Sequence, residues 1–237
     1  MPTVLYFRPN KDIAMQFASE WLGAGVEEAT KRGYNVIDIV DEACTFETLK
    51  ATIESEKPTV IILGGHGNST TFTGYEQQIV FQACSGDEIM SGTISHFLSC
   101  LVAQELLPSI IKKKGVWTLG YQTTFDFMID PPEAVTPFRD ITLAVITKML
   151  DGGKLKEVWD AGIKKGEEWI AKLWNRSETW CAETIQCIDK DIHGMIGLGN
   201  GEAYVLPPRR VMAGLSLPQL LGLAALFVLV TGRKTVV

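Results

Sequence analysis

The chain is poor in the residues that mark several protein classes. Its 237 residues include only five cysteines and three histidines. No two cysteines form a CxxC pair, and the spacing of Cys181 and Cys187 suits a metal ion poorly. Both observations argue against a disulfide scaffold and a structural zinc site. We therefore expect no metal, and the chemistry inferred below needs no cofactor.

Positive charge is also in short supply. Lysine and arginine total 22 against 28 acidic residues, which gives a formal net charge of −6. A chain of this balance is a poor general binder of phosphate backbones, so no nucleic-acid partner is expected. The glycine-rich phosphate loops GxGxxG and GxxxxGK[ST] are missing after the first predicted strand. Their absence disfavours a doubly wound domain that binds a small phosphate-bearing ligand.

The two ends of the chain differ in apolar content. The start, MPTVLYFRPN, has no basic segment followed by a long apolar stretch, so no secretory signal peptide is predicted. Charged residues are absent from 211–232, a stretch long enough to cross a bilayer as a helix. Arg209–Arg210 and Arg233–Lys234 flank it, whereas Pro218 and Gln219 weaken the pattern and leave a buried C-terminal helix as the alternative. We expect a globular domain over 1–206 and a membrane tail over 207–237.

The body alternates predicted strands with predicted helices. The strands fall at 3–7, 35–40, 59–63, 93–99 and 116–121, and the helices at 11–31, 46–54, 101–113, 133–150 and from 155 onward. Residues 69–82 form a loop or hairpin, and 192–198 with 203–206 a closing strand pair. This order predicts an α/β fold with an open, mostly parallel sheet and helices on both faces. The Trp-rich stripe of the helix from Leu155 is expected to pack on the sheet.

Polar residues follow three of the predicted strands. Gly64-Gly65-His66-Gly67-Asn68 comes after the third strand, Ser99-Cys100 after the fourth, and Gly120-Tyr121-Gln122-Thr123 after the fifth. In open parallel sheets, reactive groups gather at the carboxyl ends of the strands. We therefore expect His66 and Cys100 to face each other.

A histidine beside a cysteine can perform acyl transfer. A thiolate is the nucleophile, and an imidazole can take the thiol proton and give it to the leaving amine. The backbone N–H groups of Gly67 and Cys100 could form an oxyanion hole. Taken singly, a buried cysteine is usually packing and a Gly-His-Gly turn is usually only a turn. It is their occurrence at consecutive strand ends that favours a dyad.

The ordered set of motifs resembles a known family. VIILGGHGN, ISHFLSC and GVWTLGY, followed by GGKLKEVWDAGIKKGEEWI and IGLGNGEAYV, look like the caspase-like (clan CD) cysteine peptidases. The gingipain and prokaryotic caspase-like group is the most similar, over roughly 3–206. The resemblance implies a three-layer caspase-like fold and a polypeptide substrate. It assigns His66 and Cys100 to the dyad and Gly67 to the oxyanion site.

A second cysteine competes for the role of nucleophile. Gln82-Ala83-Cys84-Ser85-Gly86 resembles the caspase motif QACxG. We prefer Cys100 because the segment from His66 to Cys84 is short for a crossover between parallel neighbours. Ser85-Gly86-Asp87 is also typical of a turn, whereas a predicted helix follows Cys100 directly.

Residues after the fifth strand are candidates for a substrate pocket. By the resemblance, Tyr121, Thr123 and Asp126 lie where the family lines its specificity pocket. A carboxylate there would favour a basic residue on the N-terminal side of the cleaved bond. The alternative for Asp126 is a solvated loop acid. His96 and His193 are interpreted as a packed and a surface histidine.

Two functions from different classes follow from the sequence. The first is a cysteine endopeptidase anchored to a membrane through 211–232, with its main domain in the cytoplasm. The second is a non-catalytic caspase-like scaffold or signalling adaptor on the same anchor. A polypeptide substrate and membrane lipid are the expected partners, and a second copy of the chain or a regulatory protein is a further candidate.

Overall fold

The structure, a computed structural model, describes residues 1–208. Its central feature is a six-stranded sheet. Its strands are β1 Thr3–Arg8, β2 Asn35–Val40, β3 Val60–Gly64, β6 Ile94–Leu98, β7 Trp117–Tyr121 and β8 Met195–Gly199, while β4 Thr71–Thr73 and β5 Ile79–Gln82 form a separate antiparallel pair. The helices are α1 Ile13–Lys31, α2 Phe46–Glu56, α3 Leu106–Lys112, α4 Thr136–Leu150, α5 Leu155–Trp174 and α6 Thr179–Gly194.

The order of strands in the large sheet is β2-β1-β3-β6-β7-β8. The first five run parallel, and β8 is antiparallel to β7. Every residue of β3, β6 and β7 is buried, as expected where helices cover both faces of a parallel sheet. The prediction of a mixed α/β fold with a mostly parallel sheet is confirmed.

Two apolar layers lie on opposite faces of the sheet. One contains side chains of α1, α4, α5 and α6, among them Trp21, Phe138 and Ile188. The other contains side chains of α2 and α3, among them Leu49 and Ile110. Alternating residues of the strands divide between the two layers, since successive strand side chains point to opposite faces.

The helix after Cys100 begins later than predicted. It starts at Leu106, and the segment from Ser99 to Glu105 forms turns instead. Leu101 has a positive φ of 60°, and its N–H donates to the carbonyl oxygen of Thr123 at 2.9 Å. Ala103 likewise donates to the carbonyl oxygen of Tyr121 at 3.0 Å. The predicted helix over 101–113 is therefore wrong in its first turn, because these N–H groups bond to the end of β7.

The chain after α5 also differs from expectation. Thr179–Gly194 is a helix that the sequence interpretation missed. Of the predicted closing strand pair, only β8 forms, and residues 203–206 are irregular. The irregular segment is tied to β7 because Trp117 Nε1–H donates to the carbonyl oxygen of Ala203 at 3.0 Å.

The Trp-rich stripe of α5 is divided between core and surface. Leu155, Val158 and Leu173 are buried, and Trp159 is partly buried against the apolar layer on their side of the sheet. Trp174 is 75% exposed. The expected packing of this stripe therefore fails at Trp174.

The predicted membrane segment, 211–232, lies outside the described residues. Among the helices of residues 1–208, none has the length and apolar character needed to cross a bilayer. The membrane tail thus stays a prediction from the sequence.

Candidate active site

The carboxyl ends of β3 and β6 lie side by side. Leu63 pairs with Phe97 and Gly64 with Leu98. The ladder continues one step further, since Gly65 N–H donates to the carbonyl oxygen of Leu98 at 3.3 Å. The loops that carry His66 and Cys100 therefore leave the sheet next to each other.

Gly67 is the point where these two loops touch. A Cβ atom added to Gly67 would lie 2.3 Å from Ser99 Oγ, 2.8 Å from Val102 Cγ1 and 2.9 Å from the carbonyl oxygen of Cys100. Real Cβ atoms do not approach heavy atoms so closely, so only glycine fits between the loops without displacement. The backbones at His66-Gly67 and Ser99-Cys100 are thereby held in direct contact.

The side chain of His66 is held by the carboxylate of Asp12. Its Nε2 lies 2.7 Å from Asp12 Oδ2, and both side chains are partly exposed. Asp12 is fixed in turn as the N-cap of α1, where its Oδ1 accepts the N–H of Met15 at 3.1 Å. A carboxylate that bonds one ring nitrogen sets the tautomer and orientation of a histidine and stabilises its charged form. Nδ1 is thus the nitrogen left for proton transfer.

The charge of Asp12 is maintained in this setting. Burial raises the pKa of its carboxyl group, but the hydrogen bonds from His66 and from the Met15 N–H outweigh burial, and the net pKa is below the ordinary value. Asp12 was missed by the sequence interpretation. The signal that could have found it is an aspartate just after the first strand and before an apolar-periodic run, which is typical of an N-cap.

The sulfur of Cys100 is bonded to the loop after β7. Phe125 N–H donates to Sγ at 3.3 Å. Burial raises the pKa of the Cys100 thiol, the Phe125 N–H opposes this, and the charges of Asp126 and Asp191 raise it further. Since α3 begins only at Leu106, its N-terminal dipole does not reach the sulfur. The resting group is a thiol, which needs a general base.

The loops of His66 and Cys100 touch, but no hydrogen bond joins the two side chains. Within residues 1–208, His66 bonds through its side chain to Asp12, and the Cys100 sulfur bonds to the backbone of Phe125. Catalytic hydrogen bonds are often long in ligand-free enzymes and tighten when substrate binds. A dyad of His66 and Cys100 is therefore compatible with this ligand-free geometry.

Two backbone donors at the contact point are unused. The N–H groups of Gly67 and Cys100 donate to no backbone acceptor within residues 1–208. Both belong to the loops that touch at Gly67. Unpaired donors placed in this way can stabilise an oxyanion.

Cys84 lies in a different setting. It is exposed, with a positive φ of 70°, in the turn that follows β5. Its N–H bonds to Ser109 Oγ at 2.9 Å and Asp87 Oδ2 at 3.2 Å. The strand before it belongs to the small β4-β5 pair and not to the large sheet, so Cys84 does not follow a neighbour of β3.

The residues predicted to line a pocket lie at the end of β7 and in the loop that follows it. Tyr121 is buried, with its ring centre 4.8 Å from that of Phe125. Thr123 packs against the end of α6, where a Cβ on Gly194 would lie 2.0 Å from Thr123 Oγ1. Asp126 is ion-paired with Lys190, so its carboxylate is already neutralised by a cation of the protein.

A buried acid lies behind this group. Asp191 is 2% exposed, and its Oδ1 accepts the N–H of Asp126 at 3.1 Å. Burial raises the pKa of the Asp191 carboxyl group well above its ordinary value. The sequence interpretation missed this residue because it missed α6.

The two other histidines lie where the sequence places them. His96 is completely buried in β6, and burial lowers its pKa to about 4, so it is neutral at physiological pH. His193 is exposed in the last turn of α6. Among the described residues, no three His, Cys, Asp or Glu side chains are grouped closely enough to hold a metal ion.

Comparisons with known proteins give only distant similarity. No family model matches the chain, and no curated protein does. Among solved structures, the chain is similar to a secreted C11 cysteine protease from Bacteroides thetaiotaomicron, iotapain, at 11% identity and a TM-score of 0.39, covering 52% of this chain and 53% of that one. It is similar to an inactive zymogen C11 protease from Parabacteroides distasonis at 11% identity and a TM-score of 0.40, covering 74% and 66% respectively.

Both of these structures are of C11 cysteine proteases, and the chain spans about half the length of the first. The finer resemblance to the gingipain group stays a prediction from the sequence motifs.

Proposed function

We propose that this protein is a cysteine endopeptidase in which Cys100 is the nucleophile and His66 the general acid and base. The observation that carries the proposal is the contact of the two loops at Gly67, at the carboxyl ends of the adjacent strands β3 and β6. Asp12 supports it by holding the His66 ring through Nε2. Loops at this edge of a parallel sheet are where reactive groups gather.

The reaction is acyl transfer to sulfur followed by hydrolysis. His66 takes the proton of the Cys100 thiol, and the sulfur attacks the peptide carbonyl carbon to form a C–S bond. The Gly67 and Cys100 N–H groups hold the resulting oxyanion. The C–N bond then breaks as His66 gives its proton to the leaving nitrogen. Water, deprotonated by His66, cleaves the thioester and restores the thiol.

Substrate must draw the sulfur from the Phe125 N–H toward His66. The 3.3 Å bond from Phe125 to Sγ is a single neutral contact, which contributes about 1 kcal/mol. Binding energy from a peptide chain is ample to replace it. Asp126 and Thr123 lie on the same loop as Phe125, so a peptide that contacts this loop acts directly on the position of the sulfur.

The tail and the location of the domain complete the proposal. The uncharged stretch 211–232 is proposed to bind membrane lipid, with the peptidase domain on the cytoplasmic side. A carboxylate near Cys100 still supports recognition of a basic substrate residue, although Lys190 would compete with it for Asp126.

A second function, a non-catalytic scaffold on the same anchor, is favoured by one observation. Both members of the dyad are bonded to other partners, His66 to Asp12 and Cys100 to Phe125. If that arrangement persists when a peptide binds, the domain recognises polypeptide without cutting it.

A thiol-directed probe separates these functions. A peptidyl acyloxymethyl ketone, which alkylates cysteines assisted by a catalytic histidine, is expected to label the wild-type protein and the Cys84→Ala variant. The Cys100→Ala and His66→Ala variants should remain unlabelled, and cleavage of a fluorogenic peptide panel should be lost in the same two variants.

Cys84→Ala is the matched control, because it removes an exposed cysteine outside the proposed dyad. If labelling disappears only in Cys84→Ala, then Cys84 is the nucleophile and Cys100 is not. A folded wild-type protein that is neither labelled nor able to cleave any peptide would favour the scaffold.

A further inference from the structure

A cleft of about 330 Å³ opens next to His66, on the side away from Cys100. Its walls come from the loop after β1 and from the turn between β4 and β5. β1 and β6 flank β3 on opposite sides. His66 therefore lies between the cleft and the sulfur of Cys100. The lining residues are Pro9, Lys11, Asp12, Met15, His66, Gly74, Glu76 and Gln77.

The cleft has an apolar floor and a polar rim. Pro9, Met15 and Gly74 are buried, with Met15 at 8% exposure. Lys11 and Glu76 are exposed and paired across the rim, with Nζ 3.0 Å from Oε1. A site of this kind takes an apolar side chain and leaves the adjoining backbone in water.

The reaction dictates which part of a substrate lies there. When the peptide bond breaks, the leaving nitrogen must be within hydrogen-bond reach of the proton donor, His66. The half of the substrate that carries this nitrogen is the C-terminal half. It therefore leaves past His66, on the side of the ring opposite the sulfur, which is where the cleft lies.

We propose that this cleft binds the side chain of the residue directly C-terminal to the scissile bond, and that it favours an apolar residue such as leucine. The inference rests on the proposed peptidase function and adds a substrate preference to it. A residue with an acidic side chain is disfavoured, because the Asp12 carboxylate lines the cleft and the Lys11 ammonium at the rim is already paired with Glu76.

The same cleft should also accept an amine after the first step. Once the N-terminal half is held as a thioester on Cys100, an amino-acid amide in the cleft can attack the thioester carbon in place of water. A C–N bond forms, the C–S bond breaks, the amine gives one proton to His66, and the sulfur regains a proton from His66. The step is the reverse of acylation, so it needs no further reactant.

The direct test compares two peptides that differ only in this residue, leucine or glycine. We expect the wild-type kcat/KM to be about tenfold higher for the leucine peptide, a difference that one buried apolar side chain provides. Gln77→Trp, which places a bulky ring at the rim of the cleft, should bring kcat/KM for the leucine peptide down to that for the glycine peptide. Gln16→Trp is the matched control, an exposed glutamine on α1 that does not line the cleft.

A second measurement needs no variant. With a methyl ester of the same N-terminal half as substrate, leucinamide should intercept the thioester about tenfold more efficiently than glycinamide. This result decides the matter even if Gln77→Trp fails to fold.

The failure of this inference is distinct from the failure of the peptidase. Equal rates for the two peptides, both lost in Cys100→Ala, together with equal interception by the two amides, would overturn the cleft as a subsite and leave the peptidase standing. Cleavage of neither peptide, in a protein that the ketone probe does not label, would overturn both.

Discussion

Asp12 links the proposed chemistry to the start of α1. It accepts an N–H at the helix terminus with one oxygen and bonds the His66 ring with the other. An asparagine would preserve the first contact, because asparagine and aspartate cap helices equally well. It would remove the negative charge that stabilises His66 when the ring carries the proton of Cys100.

We therefore expect Asp12→Asn to fold normally and to lower kcat by about 10-fold to 100-fold, with little change in KM, since general acid–base catalysis contributes roughly 10²–10⁴-fold. Steady-state kinetics on the fluorogenic peptide measure this. Asp41→Asn is the matched control, because it removes a carboxylate that directly follows β2 and makes no hydrogen bond or ion pair with His66. An Asp12→Asn enzyme with wild-type kcat would remove Asp12 from the mechanism.

At the scale of elements, the contact between the loops after β3 and β6 constrains the site most strongly. Gly67→Ala places a methyl group within 3 Å of Ser99, Val102 and Cys100. The loops must separate, which we expect to cost about 1–3 kcal/mol of unfolding free energy, as overpacking does. The oxyanion donors separate as well, so activity should fall by more than stability alone explains.

Urea denaturation and kcat/KM measured on the same preparation test this prediction. Gly23→Ala in α1 serves as the control, because its nearest neighbour would be 3.7 Å from the new Cβ. Alanine in a helix should stabilise the protein by about 0.5–1 kcal/mol there. If Gly67→Ala has the same stability and the same kcat/KM as Gly23→Ala, the two loops are not in tight contact.

The elements also show where sequence reasoning succeeds and where it stops. The strand β3 is predicted well because a continuous apolar run ending in glycine has few alternatives. The helix α6 is missed because its buried stripe includes Thr184 and Asp191, so the polar pattern conceals the helical period. The start of α3 is displaced by hydrogen bonds to β7, a contact between segments distant in the sequence. Asp12 is not found as a partner of His66 for the same reason.

At the scale of the whole molecule, the buried His96 makes stability depend on pH. Burial lowers its folded-state pKa to about 4 from an unfolded value near 6.5. Between these values the unfolded chain binds a proton that the folded protein does not. Stability is therefore fully present above about pH 6.5 and decreases as the pH falls toward 4, by about 3 kcal/mol in total.

Urea midpoints measured near pH 7 and near pH 5 test this expectation. Asp191 acts in the opposite direction, since burial raises its folded-state pKa. The contribution of His96 is therefore read as the difference between the wild-type protein and His96→Leu, which should lose less stability on acidification. His193→Leu, at an exposed position, should retain the wild-type pH dependence. Identical profiles for all three proteins would contradict the prediction.

The order of strands in the sheet bears on when a newly made chain acquires the proposed site. The strands that precede the proposed dyad, β3 and β6, are adjacent in the sheet, but the β4-β5 pair and its turns separate them along the chain. The pairing joins Val60 to Ile94, so the chain between them must be ordered before the two loops can meet. A newly made chain therefore carries His66 and Cys100 before it has the site proposed for them. On the proposed function, the thiol has no histidine to assist it until this central pair of strands has closed.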